Sequence, residues 1–412
     1  MLYQMHEWHR KFMNPLSVWA DAASRVLSNP YSPLAYTPFS RRLAAGYDLL
    51  HRLGKQYEKP AFGLPTTVVD GVEVPVIEEL PLVKPFCLLR HFRRELPPEM
   101  AGRAPDPTIL MFAPLSGHHA TLLRDTVRAL LPHADIYVTD WIDARLVPLA
   151  HGPFHLDDYV HYCMEFIRLL GPDVHLISVC QPTVPVLAAV SLLATANDPA
   201  MPRSMTMMGG PIDTRRNPTQ VNALAQRKPY EWFRNNVIFK VPSNHPGYLR
   251  EVYPGFLQHA GFVAMNPDRH VESHWDYYLD MVKGDQEDVE AHRRFYDEYN
   301  AVIDLPADYY LDTIKTVFQE HALPLGKWHV RGVRVAPEDI RKVGLFTIEG
   351  ELDDISGSGQ TQAAHDLCTG LAAQDKQHLT AMGVGHYGIF SGRRWRENIA
   401  PRITEFIRAH DA

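Results

Sequence analysis

HLISVCQPTVPVLAAVSLLA, residues 175–194, joins two apolar runs through Ser178, Val179, Cys180, Gln181 and Pro182. The run VHLIS reads as a buried strand and TVPVLAAVSLLA as the start of a buried helix, so Cys180 falls on a strand-to-helix turn. In a parallel sheet covered by helices, such turns lie at the ligand-binding end of the strands. A turn tight enough to present a nucleophile needs small residues two before and two after it. Here these are Ser178 and Pro182; serine is small, and proline is tolerated where a helix begins because its missing N–H has no intrahelical acceptor. The Gln181 N–H is then free to stabilise an oxyanion. A helix N-terminus also favours a thiolate. An isolated cysteine is most often a small buried hydrophobe, which is the reading for Cys87, Cys163 and Cys368.

Around this junction, β-type runs at 72–76, 86–92, 108–113, 135–140, 174–179, 204–208, 343–348 and 377–382 alternate with helical patterns at 122–131, 158–170, 183–196, 362–372 and 394–409. The alternation predicts an α/β fold with a mostly parallel central sheet. Between Gly210 and about Pro337 it stops, and an aromatic-rich helical cap is expected there. The aromatic load is explained first by packing between cap and sheet, and second by a groove for an apolar substrate. Residues 1–60 form an aromatic, amphipathic arm with helical stretches around Pro15, Pro30, Pro33 and Pro38. It reads as a strap on the main domain, the sharper alternative being docking onto an apolar surface. The expected organisation is an N-terminal helical arm over 1–70, a core in two parts over 71–210 and 338–412, and the cap insertion over 211–337.

The chain of 412 residues is ample for one large domain with an insertion. With 45% hydrophobic and 22% charged residues it reads as a globular protein rather than a disordered or fibrous one. A net charge of -7 without a dominant Lys/Arg cluster argues against a nucleic-acid partner. The four cysteines have no paired zinc-type spacing and read as free thiols. The N-terminal stretch lacks the apolar core of a signal peptide, and no apolar run is long enough to span a bilayer, so a reducing cytoplasm is expected.

A nucleophile at Cys180 calls for an acid and then a histidine later in the chain. LFTIEGELDDISG, residues 345–357, reads as a strand followed by an acidic turn. Asp353 is the candidate acid; Asp354, Glu351 and Glu349 compete with it, and a solvated acidic turn is the plain alternative for all four. GVGHYGIFSG, residues 383–392, places His386 in a glycine-rich loop after a strand, which singles it out among 22 histidines. In MFAPLSGHHATLL, residues 111–123, the N–H of Leu115 or Ser116 could supply a second oxyanion donor. The adjacent His118 and His119 lack a third ligand at workable spacing, so a loop or packing role is expected and no metal.

These motifs resemble the intracellular poly(3-hydroxybutyrate) depolymerases, polyester-degrading esterases of the α/β-hydrolase fold that use cysteine where lipases use serine. The resemblance runs through the MLYQMHE start, the HLISVCQPTVPVLAA junction, MMGGPIDTRRNPT, EGELDDISG and GVGHYGIFSG. SVCQP is the most specific of them. It implies Cys180 as nucleophile, Asp353 as acid and His386 as base. It further implies hydrolysis of stored polyester through an acyl-thioester, release of 3-hydroxybutyrate monomers or oligomers, no cofactor, and a cytoplasmic location at polyester storage granules. Because a thioester is open to thiols, coenzyme A is a second acyl acceptor to test. Two rival readings are a polyhydroxyalkanoate synthase-like acyltransferase, disfavoured by the absence of a glycine-flanked cysteine, and a non-catalytic granule-surface protein.

Overall fold

In a computed structural model describing residues 2–37, 39–265 and 267–411, nine strands form the central sheet. They are β1 (Thr66–Val69), β2 (Val72–Val83), β3 (Cys87–Arg94), β4 (Thr108–Phe112), β5 (Asp135–Trp141), β6 (Val174–Val179), β7 (Ser204–Met208), β8 (Gly344–Gly350) and β9 (Lys376–Ala381). Their spatial order is β1-β2-β3-β5-β4-β6-β7-β8-β9. The first three pair antiparallel and β3 meets β5 antiparallel; from β5 to β9 every pairing is parallel. The connection from β4 runs outward to β5, whereas β6 returns to the other side of β4. That reversal opens a crevice beyond the carboxyl ends of β4 and β6, where ligands bind in open α/β sheets. β1 was not expected, although Asp70 and Gly71, both at positive φ, make the two-residue turn that closes its hairpin with β2.

The arm consists of α1 (Leu2–Ser28) and α2 (Ser40–Gly54), with Pro15 inside the unbroken α1; Pro38 lies outside the described residues. The two helices pack on each other and then onto the inserted segment more than onto the sheet. Tyr3 Oη donates to Asp304 Oδ2 at 2.5 Å, and Arg52 and Lys55 both reach Asp297 Oδ1, at 2.9 and 2.8 Å. The sheet is flanked by α3 (Arg124–Leu130), α4 (Leu156–Leu170) and α5 (Thr183–Thr195). Alternation divides the strands between two cores: Leu110, Phe112 and Leu176 pack with α4 and α5, while Ile109, Met111, Ile177 and Val179 pack with α3 and the C-terminal helix Ala400–Ala409. Every residue from Thr183 to Leu193 is buried, so α5 is apolar all round and lies within the protein. Its Leu187, fully buried, would cost about 2–5 kcal/mol if cut to alanine.

Between β7 and β8 come α6 (Gln220–Arg227), α7 (Tyr230–Asn236), α8 (Gly255–Met265), α9 (Pro267–Lys283), α10 (Gln286–Tyr299) and α11 (Ala307–Thr313). A three-stranded ribbon of Phe239–Lys240, Glu251–Tyr253 and Leu305–Pro306 joins them. The helical expectation missed it because two- and three-residue strands carry no readable alternation. A second correction concerns 362–372, where only Ala364–Leu367 is helical. The amides of Thr361 and Gln362 go to the Glu349 carboxylate instead of opening a helix, and a Cβ at Gly370 would press on the Ile340 carbonyl at 2.6 Å. The expected helix 394–409 is likewise divided, with a π-helical turn at Trp395–Ile399 before the last helix. Among the described residues no helix is long and apolar enough to cross a membrane.

Candidate active site

Cys180 follows β6 directly and adopts φ +67°, a left-handed conformation that costs an L-residue about 1–2 kcal/mol. The turn is held by the Cys180 N–H donating to Met208 O at 2.7 Å and by the Thr183 N–H donating to Cys180 O at 3.1 Å. Pro182 is the N-cap residue of α5, one position before the first turn in which it was expected, so its missing N–H leaves no gap in the helix. Ser178 is buried beneath the bend. The sequence thus spends backbone strain to raise one thiol over the crevice at the head of a helix.

The second half of the site comes from the ends of β8 and β9. His386 begins a short helical turn after β9, is buried, and its Nδ1 lies 2.7 Å from Asp353 Oδ2. Asp353 Oδ1 accepts from the amides of Ile355 and Ser356, both at 2.9 Å. Burial alone would lower the His386 pKa, but the charge of Asp353, followed by that of Cys180, holds it well above the usual imidazole range. The competing carboxylates are engaged elsewhere. Glu349 receives the amides of Gly359, Thr361 and Gln362, Glu351 receives that of Gly383, and Asp354 lines a neighbouring cavity with Arg269 and Arg394.

Cys180, Gln181, Leu115, Ser116 and His386 all line one cavity of about 720 Å³ roofed by the inserted segment. Among the described residues, the backbone amides of Leu115, Ser116 and Gln181 donate to no other backbone group. The roof supplies Phe233, Phe262, Tyr309 and Tyr310, so the cap aromatics both pack and line a groove. The Tyr309 hydroxyl donates to Leu115 O at 3.1 Å and thereby ties the cap to the loop after β4. His118 does the same, its Nε2 meeting Tyr299 O at 3.2 Å. Burial lowers its pKa to about 4, and that of His119 to about 3. Such values fit neutral rings, and His118 packs against the cap.

Two glycines escaped the sequence reading. Gly209, at φ +56°, ends β7 beside the histidine: a Cβ there would stand 3.3 Å from His386 Cε1, 3.4 Å from Asp353 Oδ2 and 2.6 Å from Ile389 Cδ1. A Cβ on Gly210 would overlap the Thr183 side chain. The signal was a Gly-Gly pair at the carboxyl end of a strand next to the junction, where close backbone approach calls for glycine.

Residues 209–411, from this Gly-Gly pair almost to the C-terminus, match the family model described as PHB de-polymerase C-terminus. Just under half of the chain is thus similar to PHB depolymerases. The match spans the inserted segment and the strand ends carrying Asp353 and His386, while Cys180 lies before it. No match is found among curated proteins. Solved structures with a similar course of chain include a monoacylglycerol lipase from Paleococcus ferrophilus, 14% identical over 74% of this chain and 96% of that one, with a TM-score of 0.44. A thermophilic esterase from Thermogutta terrifontis is 12% identical over 84% and 98% of the two chains, with a TM-score of 0.40. The type II thioesterase BorB from the borrelidin biosynthetic cluster is 13% identical over 79% and 98%, also with a TM-score of 0.40.

Proposed function

We propose that this PHB depolymerase-like chain hydrolyses ester bonds of a poly(3-hydroxybutyrate)-type polyester, with Cys180 as nucleophile, His386 as general acid and base, and Asp353 as the carboxylate that orients the imidazole. The observation that carries the reading is the opening of the strained Cys180 turn onto the same cavity as His386, with Asp353 against the other side of the ring. The raised pKa of His386 supports an imidazolium facing the sulfur.

In the reaction, the Cys180 thiolate attacks the ester carbonyl and forms a C–S bond, while the amides of Gln181 and of Leu115 or Ser116 receive the negative oxygen. The C–O bond to the departing hydroxyacyl chain then breaks, and His386 delivers its Nε2 proton to that oxygen. Water enters, gives a proton to His386 and attacks the thioester; cleavage of the C–S bond releases a 3-hydroxy acid or oligomer. Asp353 stabilises the imidazolium in both halves. The exposed face of α1, with Met5, Trp8, Phe12 and Trp19 spaced along it, favours action at an apolar polymer surface such as a storage granule.

The direct test incubates amorphous poly(3-hydroxybutyrate) granules with wild type and Cys180→Ala and measures soluble 3-hydroxybutyrate products. Release by wild type alone is expected. Equal release by a folded Cys180→Ala protein would end the assignment. Adding coenzyme A and assaying acyl-CoA distinguishes thiol transfer from hydrolysis.

A further inference from the structure

The cavity wall beside the sulfur carries a polar group that the chain itself leaves unsatisfied. Gln181 is 8% exposed and lines the cavity, and neither its Oε1 nor its Nε2 has a hydrogen-bond partner among the described residues. Folding does not gain from a buried carboxamide left unsatisfied by its surroundings, so its retention points to a ligand that satisfies it.

Several other polar side chains of the wall are bonded internally. Tyr309 lies beside the carboxamide, but its proton goes to Leu115 O at 3.1 Å, so it offers Gln181 an acceptor only and leaves Oε1 without a donor. Thr313 Oγ1 donates to Tyr309 O at 2.8 Å, and Gln258 Nε2 donates to Tyr253 O and Ile303 O at 3.0 and 3.2 Å. Ser356 Oγ, also without a partner, sits on the Asp353 loop, whereas Gln181 adjoins the nucleophile itself. Much of the remaining wall is apolar: Leu122, Val221, Leu224, Phe262, Leu305 and Ile314.

An acyl group on Cys180 carries its third carbon only two bonds beyond the carbonyl carbon, close to the side chain of the next residue. We propose that the Gln181 carboxamide is a specificity-determining group that hydrogen-bonds the oxygen on the third carbon of the acyl unit, selecting 3-oxygenated acyl chains over plain alkyl ones. Oε1 accepts from a free 3-hydroxyl at a chain end; Nε2 donates to the ester oxygen of an interior unit. The inference rests on the reading of Cys180 as nucleophile. The Gln181 backbone amide serves any acyl ester alike, so side chain and backbone are separable by substrate.

The experiment compares kcat/KM on three 4-nitrophenyl esters, those of 3-hydroxybutyrate, 3-acetoxybutyrate and butyrate, for wild type, Gln181→Met and Cys180→Ala. Wild type is expected to prefer at least one 3-oxygenated ester over butyrate by about tenfold or more, because a site built around a polar group penalises the analogue lacking its partner. The hydroxy and acetoxy arms tell a chain-end preference from an interior one. Gln181→Met, similar in length and without donor or acceptor, is expected to bring the ratio close to that of intrinsic ester reactivity. A ratio unchanged in Gln181→Met, or an equal loss on all three esters, overturns the inference and leaves the role of Cys180 intact. Should Gln181→Met fail to fold, the wild-type ratio decides by itself, and no preference over butyrate overturns the proposal. Cleavage that survives in Cys180→Ala, or is missing in wild type, removes the underlying reading and this inference with it.

Discussion

Asp353 Oδ2 stands 2.7 Å from His386 Nδ1, and the other oxygen of the same carboxylate is fixed by the amides of Ile355 and Ser356. The aspartate is oriented by its own loop before it meets the histidine. Its remaining oxygen is turned toward a buried ring.

Asp353→Asn is therefore expected to lower kcat by about 10²–10⁴-fold and to move the alkaline limb of the kcat/KM profile to lower pH. The sign follows from the ring's surroundings: burial pushes the His386 pKa down, and Asp353 more than restores it. The stability contributed by that raised pKa is fully present below the ordinary value near 6.5 and is lost as pH rises through the higher folded value. Asp354→Asn is expected to leave the limb in place. A pH–rate series on both variants checks this; a shift in Asp354→Asn alone would reassign the acid.

Gly209→Ala places a methyl against Ile389 and within 3.4 Å of both His386 and Asp353, at a φ of +56°. A loss of about 1–3 kcal/mol in urea unfolding is expected from strain and overpacking. Activity should fall more than stability, since a displaced imidazole misses its proton transfer. Crystallography of the variant would reveal the ring's movement.

Tyr3→Phe removes the donor to the buried Asp304 carboxylate, whose other oxygen accepts from the Gly255 amide. Hydrogen bonds to buried charges are worth about 1.5–3 kcal/mol, so the urea midpoint should drop. Limited proteolysis between α2 and β1 should become faster as the arm detaches. An unchanged cleavage rate would mean that the ion pairs to Asp297 suffice to hold it.

Trp8→Ser with Phe12→Ser changes two side chains of α1 that are 75% and 79% exposed. Co-sedimentation with amorphous polyester granules is expected to fall several-fold, while hydrolysis of a soluble nitrophenyl ester stays at the wild-type rate. Undiminished sedimentation would dissociate this face from polymer contact.

The strands at 174–179 and 204–208 were legible because short β-type runs end at Cys180 and Gly209, where breakers or turn residues follow. β1 was missed although its Asp70-Gly71 turn was in plain sight, since four residues give little periodicity. The span 362–372 misled for a different reason: its amides are claimed by Glu349, thirteen residues upstream of Gln362, a tertiary contact no local pattern records. At the site, chain order led the sequence reading to Cys180 and His386, which the structure brings to one cavity. Asp353 was put ahead of Asp354, Glu351 and Glu349 by the resemblance, and the path of the loop is what brings it to the His386 ring. The unpaired Gln181 carboxamide was silent for the same reason, as a glutamine's lack of partners exists only once its neighbours are placed.

The inserted segment leaves the sheet after β7, at Gly209 and Gly210, and returns to it at the start of β8, whereas Asp353 and His386 follow the far ends of β8 and β9, so the insert supplies neither. Under the proposed function, changes in the roof can therefore retune which ester is admitted while Cys180, Asp353 and His386 below stay as they are. A chimera bearing a different roof on this floor should exchange its diet before it loses its appetite.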